Sequence, residues 1–161
     1  MKRQIQFTLN GKPVTADVAP HETLLDLLRD TFQLTGAKET CGLGLCGVCT
    51  VLVSGKPVSG CLHFASSIDG EEIVTIEGLE TEEGLHPIQE AFYEQKAFQC
   101  GYCTPGMILM AKKLLEENPN PTEDEIKDYM VGNICRCASY AQIFAAIQEA
   151  ASLLKQEKVK L

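Results

Sequence analysis

The feature of this sequence that most restricts its structure is the spacing of its eight cysteines, which all lie between residues 41 and 137. They separate into two groups of four that do not overlap along the chain. The first group follows the pattern C-x4-C-x2-C with a fourth cysteine after eleven intervening residues, and the second is a C-x2-C pair followed after thirty-one intervening residues by a C-x-C pair. The first cysteine group is Cys41, Cys46, Cys49 and Cys61, and the second cysteine group is Cys100, Cys103, Cys135 and Cys137.

The first cysteine group has the spacing by which plant-type ferredoxins bind a [2Fe–2S] cluster. Such a cluster requires four thiolates and a shell that excludes water while it donates hydrogen bonds to sulfur. Gly42, Gly44 and Gly47 lie between these cysteines, and Gly101 lies inside the second C-x2-C pair. Because glycine has no Cβ and reaches unusual φ values, backbone N–H groups can approach sulfur closely there. The pattern predicts one [2Fe–2S] cluster at each group.

Zinc is the main alternative, because zinc sites with four cysteines favour paired C-x2–4-C motifs. The second cysteine group alone fits such a site. The first fits it poorly, because three of its ligands lie in one loop. Three thiols in one loop also pair badly as disulfides. Cys61-Leu62-His63 contains the C-x-H of a Rieske centre, but the second histidine motif that such a centre requires is missing from the sequence.

The charge, the hydropathy and the motifs of the sequence argue against several other functions. The net charge of −8 disfavours binding to the phosphate backbone of nucleic acids. No apolar run approaches the roughly 18 residues needed to cross a bilayer, and no apolar segment of a signal peptide follows Lys2 and Arg3. We therefore expect a cytoplasmic protein, in which clustered thiols bind metal. No phosphate-binding glycine motif and no catalytic constellation is recognisable, which favours electron transfer.

The first 76 residues carry the signals of strands and turns. Apolar and polar residues alternate on both sides of Asn10-Gly11, which predicts a hairpin. A capping box at Thr23-Leu-Leu-Asp26 predicts a short helix that ends near Thr31. A second hairpin is expected around Ser54-Gly55, and a last short strand over residues 73–76. Two hairpins and a helix predict a β-grasp-like sheet with the first cysteine loop on its rim.

The rest of the chain has a helical pattern. Residues 77–85 are acidic and interrupted by glycine, which is typical of a linker. Beyond them apolar residues recur at helical spacing. We predict helices over residues 87–98, 107–117, 122–131 and 141–154, followed by a frayed tail over 155–161. The expected organisation is α+β, with a ferredoxin-like domain over residues 1–76, a linker over 77–85 and a helical domain over 86–161.

Longer motifs around the cysteines extend the interpretation. The first cysteine group, followed by Cys100-Gly-Tyr-Cys103-Thr-Pro-Gly-Met107 and Gly132-Asn-Ile-Cys135-Arg-Cys137, closely resembles the small iron–sulfur subunit of the molybdenum hydroxylases. This is the family of xanthine dehydrogenase, aldehyde oxidoreductase and carbon monoxide dehydrogenase, and the resemblance covers nearly the whole chain. It implies a ferredoxin-like β-grasp domain followed by a four-helix bundle, each with one [2Fe–2S] cluster.

The resemblance also implies partners and a direction of electron transfer. The expected complex is a dimer of heterotrimers, in which a large subunit binds molybdopterin and a medium subunit binds FAD. The second cluster would lie nearer the molybdopterin, and the first would face the FAD. Gln99 matches the family glutamine that hydrogen-bonds the pterin, and Cys137 matches the ligand cysteine closest to that cofactor. The chain would then be the iron–sulfur subunit of an oxidoreductase complex, with no substrate site of its own.

The chain departs from the family pattern at three places. Thr40 stands where the family often has glycine, Leu45 replaces a glycine or polar residue, and Ala138-Ser139 replaces the usual Thr-Gly. None of these removes a ligand, although each can alter a potential or a subunit contact. The substrate of the complex, a purine, aldehyde, N-heterocycle, carbon monoxide or aromatic thioester, is determined on another chain. A free-standing two-cluster ferredoxin and a zinc-stabilised interaction module are the competing hypotheses.

Overall fold

The computed structural model describes residues 2–80 and 84–159. Within residues 2–80 the chain forms a five-stranded sheet with the strand order β2-β1-β5-β3-β4. The β1–β5 pair is parallel, and the other neighbouring strands are antiparallel. The strands are β1 (Arg3–Leu9), β2 (Lys12–Val18), β3 (Thr50–Val53), β4 (Lys56–Ser59) and β5 (Glu72–Val74).

Both predicted hairpins are confirmed. Asn10 and Gly11 turn the first with φ values of 49° and 76°, and Ser54 and Gly55 turn the second with 44° and 74°. Two consecutive residues with positive φ give the turn that matches the twist of paired strands. The last strand is shorter than predicted and ends at Val74. The next N–H group, that of Thr75, donates instead to Asn10 Oδ1 at 2.9 Å, which ends the strand pairing.

The predicted helix after Thr23 is also present. The Thr23 hydroxyl accepts a hydrogen bond from the Asp26 N–H, and the Asp26 carboxylate accepts one from the Thr23 N–H, which completes the capping box. This helix, α1 (Leu24–Asp26), continues as a π-helical turn over Leu27–Thr31. It therefore ends where the sequence predicts.

Four longer helices follow the sheet, as predicted, and the fold class is α+β. Helix α2 ends four residues earlier than predicted, because Lys96 adopts a left-handed conformation with φ 50°. The prediction of a frayed tail was wrong for residues 155–159, which continue α5, where Lys155 Nζ donates to Asn120 Oδ1. Residues 160–161 lie outside the described residues. No helix in the described part of the chain is long and apolar enough to span a membrane. The helices are α2 (Pro87–Glu94), α3 (Thr104–Glu117), α4 (Glu123–Met130) and α5 (Tyr140–Val159).

The sheet contributes to two hydrophobic cores. Val51 and Val53 point from β3 into a core that also contains α1, whereas Leu52, between them, points into the core of the four helices. This alternation follows from the two-residue period of a strand. Leu79, inside the predicted linker, is also buried in the helical core, and residues 81–83 of that linker lie outside the described residues. The two halves of the chain are therefore packed directly against one another.

Candidate metal centres

The first cysteine group lies in the loop before β3 and in the turn after β4. The Cys41 thiol interacts with the Cys46 thiol, and the Cys49 thiol interacts with those of Cys61 and Cys46. The four thiols thus form one connected set, arranged as the pairs Cys41–Cys46 and Cys49–Cys61. Cys46 and Cys49 are buried, whereas Cys41 and Cys61 are half-buried. The site is closed on one side and reaches the surface on the other.

Backbone N–H groups already point at sulfur in this loop. The N–H groups of Leu43 and Leu45 hydrogen-bond Cys41 Sγ and, together with the Cys46 thiol, lower the pKa of Cys41 to about 6. The Leu43 N–H lies 3.4 Å from this sulfur. Burial raises the pKa of Cys49 to about 11, and the neighbouring Cys61 thiol contributes to this increase. A thiolate at Cys49 is therefore costly without a cation, and bound iron would supply that positive charge.

The second cysteine group joins two loops that are distant in sequence. Cys100 and Cys103 precede α3, and Cys135 and Cys137 lie between α4 and α5. Cys137 Sγ lies 3.5 Å from Cys100 Sγ, and the Cys103 thiol interacts with that of Cys135. Cys135 is buried and Cys100 is exposed. The group is thus an outer pair, Cys100–Cys137, and an inner pair, Cys103–Cys135.

The surroundings of the two pairs differ. Burial raises the pKa of Cys103 to about 12. The N–H of Tyr102 hydrogen-bonds the Cys100 thiol and lowers the pKa of Cys100. Burial raises the pKa of Cys135, but hydrogen bonds from the Ser139 N–H and the Cys103 thiol outweigh it, so the net direction is downward. Donors to sulfur therefore surround this group as well.

The paired arrangement fits two iron atoms better than one zinc ion. A single zinc ion needs its four ligands around one point, whereas the thiol contacts within each group join the cysteines mainly as two pairs. Two thiolates on one tetrahedral metal, with bonds of about 2.3 Å, lie about 3.8 Å apart, close to the Cys100–Cys137 separation of 3.5 Å. All eight cysteines are free, and His63 contacts Ser67 Oγ. The donor set of each group fits a [2Fe–2S] cluster.

Direct hydrogen bonds join the two cysteine loops. The Ile134 N–H, next to Cys135, donates to the carbonyl oxygen of Cys46 at 2.9 Å. The Asn133 side chain, which is only 4% exposed, donates to the carbonyl oxygen of Gly47 at 3.0 Å. This role of Asn133 was not predicted from the sequence, because Gly132-Asn-Ile stood out only as part of a longer motif. Cys46 of the first cysteine group is thereby held against Ile134, the residue next to Cys135 of the second group.

Gly47 is required where these loops meet. Its φ of +65° is unfavourable for residues with a side chain. A Cβ at this position would lie 2.6 Å from both Asn133 Nδ2 and the carbonyl oxygen of Gly132. Gly106 of α3 packs against the Gly47 carbonyl from another side, where a Cβ would lie 2.5 Å from that oxygen. The close approach of the loops therefore depends on glycine.

Gln99 lies at the outer pair of the second cysteine group. Its Nε2 donates to the carbonyl oxygen of Cys137 at 3.1 Å, and the residue is exposed. The structure thus brings together the two residues that were predicted to lie on the pterin side. Tyr102 lies nearby in sequence, and its hydroxyl donates to the carbonyl oxygen of Glu39 at 2.7 Å. This bond further ties the second loop to the first.

Exposed apolar side chains concentrate near the cysteines. Of the ten large hydrophobic side chains exposed in the described residues, eight lie within four residues of a cysteine. Patches of this kind are typical of contact surfaces. The first rim is Leu43, Leu45, Leu62 and Phe64, and the second rim is Phe98, Tyr102, Val131 and Ile134.

Comparison with known proteins agrees with this geometry. Residues 7–75 match the 2Fe-2S iron-sulfur cluster binding domain, and residues 75–148 match the [2Fe-2S] binding domain. The chain is 47% identical to the nicotinate dehydrogenase small FeS subunit of Eubacterium barkeri, over 92% of this chain and 95% of that subunit. It is also 47% identical to one subunit of a probable xanthine dehydrogenase of Bacillus subtilis, over 88% of this chain and 82% of that protein.

A solved structure is also similar to this chain. A chain of quinoline 2-oxidoreductase from Pseudomonas putida 86 superposes with a TM-score of 0.92 at 41% identity, covering 96% of this chain and 97% of that one. The likeness therefore extends through both halves of the fold. Together with the two cysteine groups, these similarities show that the chain belongs to the family of small [2Fe–2S] iron–sulfur subunits of the molybdenum hydroxylases.

Proposed function

We propose that this chain passes single electrons from a molybdopterin site on a large subunit to FAD on a medium subunit, with one [2Fe–2S] cluster at each cysteine group. The hydrogen bond from the Ile134 N–H to the Cys46 carbonyl oxygen carries this proposal, because it joins the ligand loops of both sites. When bound, each cluster accepts and passes on one electron at a time. Oxidation of a substrate releases two electrons, so a flavin is suited to collect the pair.

The residues around the two sites support the order in which electrons would pass through them. The outer pair Cys100–Cys137 lies at the surface beside Gln99, which supports Gln99 and Cys137 as the contacts to the molybdopterin. The inner pair Cys103–Cys135 lies toward the first group, through Ile134 and Cys46. Cys41 and Cys61 are the half-buried ligands of the first site and would lie on the side of the FAD. Each site thus has an inner and an outer end.

The two rims favour a subunit over a free-standing ferredoxin. A carrier that exchanges partners would expose Leu43 and Leu45 to water after each encounter, and both are about two-thirds exposed, at 66% and 68%. Burying such side chains against permanent partners is favourable, at about 25 cal/mol per Å² of apolar surface. The rims therefore support one partner at each site. We propose that these are the large subunit at the second site and the medium subunit at the first, in a dimer of heterotrimers. We place this complex in the cytoplasm.

The proposed domains follow the same division. The ferredoxin-like domain over residues 1–76 would hold the first cluster, and the helical domain over residues 86–161 would hold the second, with a linker over residues 77–85. The two family models meet at residue 75, which supports a boundary close to this linker. The shared core around Leu52 makes the two domains one packed unit.

Metal analysis and EPR test the cluster content. We expect about four irons and four acid-labile sulfides per chain, and two distinct S = 1/2 signals after reduction, because each [2Fe–2S] cluster gives one such signal. Two zinc ions without sulfide would favour the zinc-stabilised module instead. A single EPR signal at full iron loading would contradict the assignment of two independent clusters.

Co-purification tests the partners. An affinity-tagged chain, expressed with the genes of its natural host, is expected to bring down one chain with molybdopterin and one with FAD, because both rims would be buried in the complex. Quantitative cofactor analysis of the purified complex should give one of each per tagged chain. Isolation of the chain as a monomer with full activity as an electron carrier would instead favour the free-standing ferredoxin.

A further inference from the structure

A buried hydroxyl group lies beside the second cysteine group. Ser139 immediately precedes α5, is 3% exposed, and its carbonyl oxygen accepts a hydrogen bond from the Ile143 N–H at 3.0 Å. A serine at this position usually accepts a hydrogen bond from an N–H of the first helical turn. Here the hydroxyl has no hydrogen-bond partner among the described residues. Burying an unpaired hydroxyl is unfavourable, so a partner for it is expected in the working protein.

A candidate partner for this hydroxyl is the sulfur atom of Cys135. The Ser139 N–H hydrogen-bonds Cys135 Sγ, and the Ser139 side chain also interacts with that sulfur, although without the geometry of a hydrogen bond. Cys135 belongs to the inner pair of the second cysteine group. A thiolate bound to iron is a stronger acceptor than a free thiol, because its charge attracts a donor. The hydroxyl thus lies beside Cys135 Sγ, and this sulfur would become a better hydrogen-bond acceptor once the cluster is bound.

We propose that the Ser139 hydroxyl donates a hydrogen bond to Cys135 Sγ when the second cluster is bound, and thereby raises the reduction potential of that cluster. Reduction adds one negative charge to the cluster, so a donor to its sulfur stabilises the reduced form more than the oxidised form. Ser139 is then a positioning residue, which acts through Cys135. This inference rests on the proposed second cluster.

Ser139 distinguishes this chain from the common family pattern. In the family pattern that the sequence resembles, glycine stands at the position of Ser139, and a glycine there would supply the N–H but not the hydroxyl. Relatives with glycine would therefore lack this second donor. The second site, which would receive electrons first, would then be easier to reduce in this chain than in such a relative.

Redox titration monitored by EPR tests the proposal on the complete chain. In Ser139→Ala we expect the reduction equilibrium of the second cluster to shift by up to about tenfold toward the oxidised form, which is about 59 mV for one electron. The first cluster should keep its potential. Ser139→Gly removes the same hydroxyl together with the Cβ and should shift the potential equally. Ser139→Thr keeps a hydroxyl and should restore most of the original value.

The outcomes separate this inference from the proposed function. If the wild-type chain shows two signals and both hydroxyl-free variants keep the second potential unchanged, the role of Ser139 is wrong and the two-cluster function stands. If the wild-type chain lacks the second signal, the proposed function fails and this inference fails with it. If Ser139→Ala does not load its second cluster, Ser139→Gly decides, because it leaves no side chain to be accommodated at this buried position.

Discussion

Replacing Gly47 with alanine is expected to lower the free energy of unfolding by about 3–8 kcal/mol. A side chain at φ +65° costs about 1–2 kcal/mol. Its Cβ would also lie 2.6 Å from Asn133 Nδ2, so the second loop must move, at a cost of about 1–3 kcal/mol. That movement would break the buried hydrogen bond from Asn133 to the Gly47 carbonyl oxygen, for about 1–3 kcal/mol more.

Gly55→Ala is the matched control for this prediction. Gly55 has a similar φ of +74°, but no atom lies within 4 Å of a Cβ built there. It should therefore cost only the conformational term of about 1–2 kcal/mol. Urea unfolding of both variants, with clusters loaded, measures the difference. Equal losses of stability would mean that the contact between the two loops contributes little.

Replacing Cys137 with serine should remove the second EPR signal and leave the first nearly intact. The variant loses one thiolate of the outer pair, and four thiolates are required to hold the cluster. Cys137 is far along the chain from the first group, and the bond between the loops is made by the neighbouring Ile134 and by Cys46. The first site keeps its own four ligands. Iron content should fall to about half.

Cys61→Ser provides the reciprocal variant. Cys61 pairs with Cys49 in the first group, so its replacement should remove the first signal and keep the second. EPR of both reduced variants, prepared with equal reconstitution, compares the two sites directly. Loss of both signals in either variant would show that the two clusters are inserted together. The shared core around Leu52 gives that outcome a structural basis, because it packs the two halves of the chain against one another.

Local signals in the sequence predicted most of the elements correctly. The turns at Asn10-Gly11 and Ser54-Gly55 form where the chemistry of asparagine, serine and glycine allows positive φ. Helix α4 begins after Thr122, close to the predicted start, where Thr122 and Glu125 form a capping box. Cysteine spacing likewise predicted which thiols come together. The turns and the helix start are determined by residues that are close in sequence, and the grouping of the thiols follows a known cysteine spacing.

The remaining features depend on contacts between distant segments. Val74 ends β5 because Asn10, more than sixty residues earlier, binds the next N–H. Asn133 is buried against Gly47 across 86 residues, and no periodic pattern marks such a pair. The sequence also does not reveal that the Ser139 hydroxyl is unpaired, since a serine before a helix ordinarily caps that helix. Tertiary packing, rather than local preference, determines these positions.

The bond between Ile134 and Cys46 also has a consequence for kinetics. Electron tunnelling weakens exponentially with distance, so a gap that fluctuates gives a rate that fluctuates with it. Here the gap between the two sites is spanned by a short run of backbone and one hydrogen bond within a single chain. The distance over which the internal transfer step takes place would then be determined within this chain rather than by the subunits attached to it.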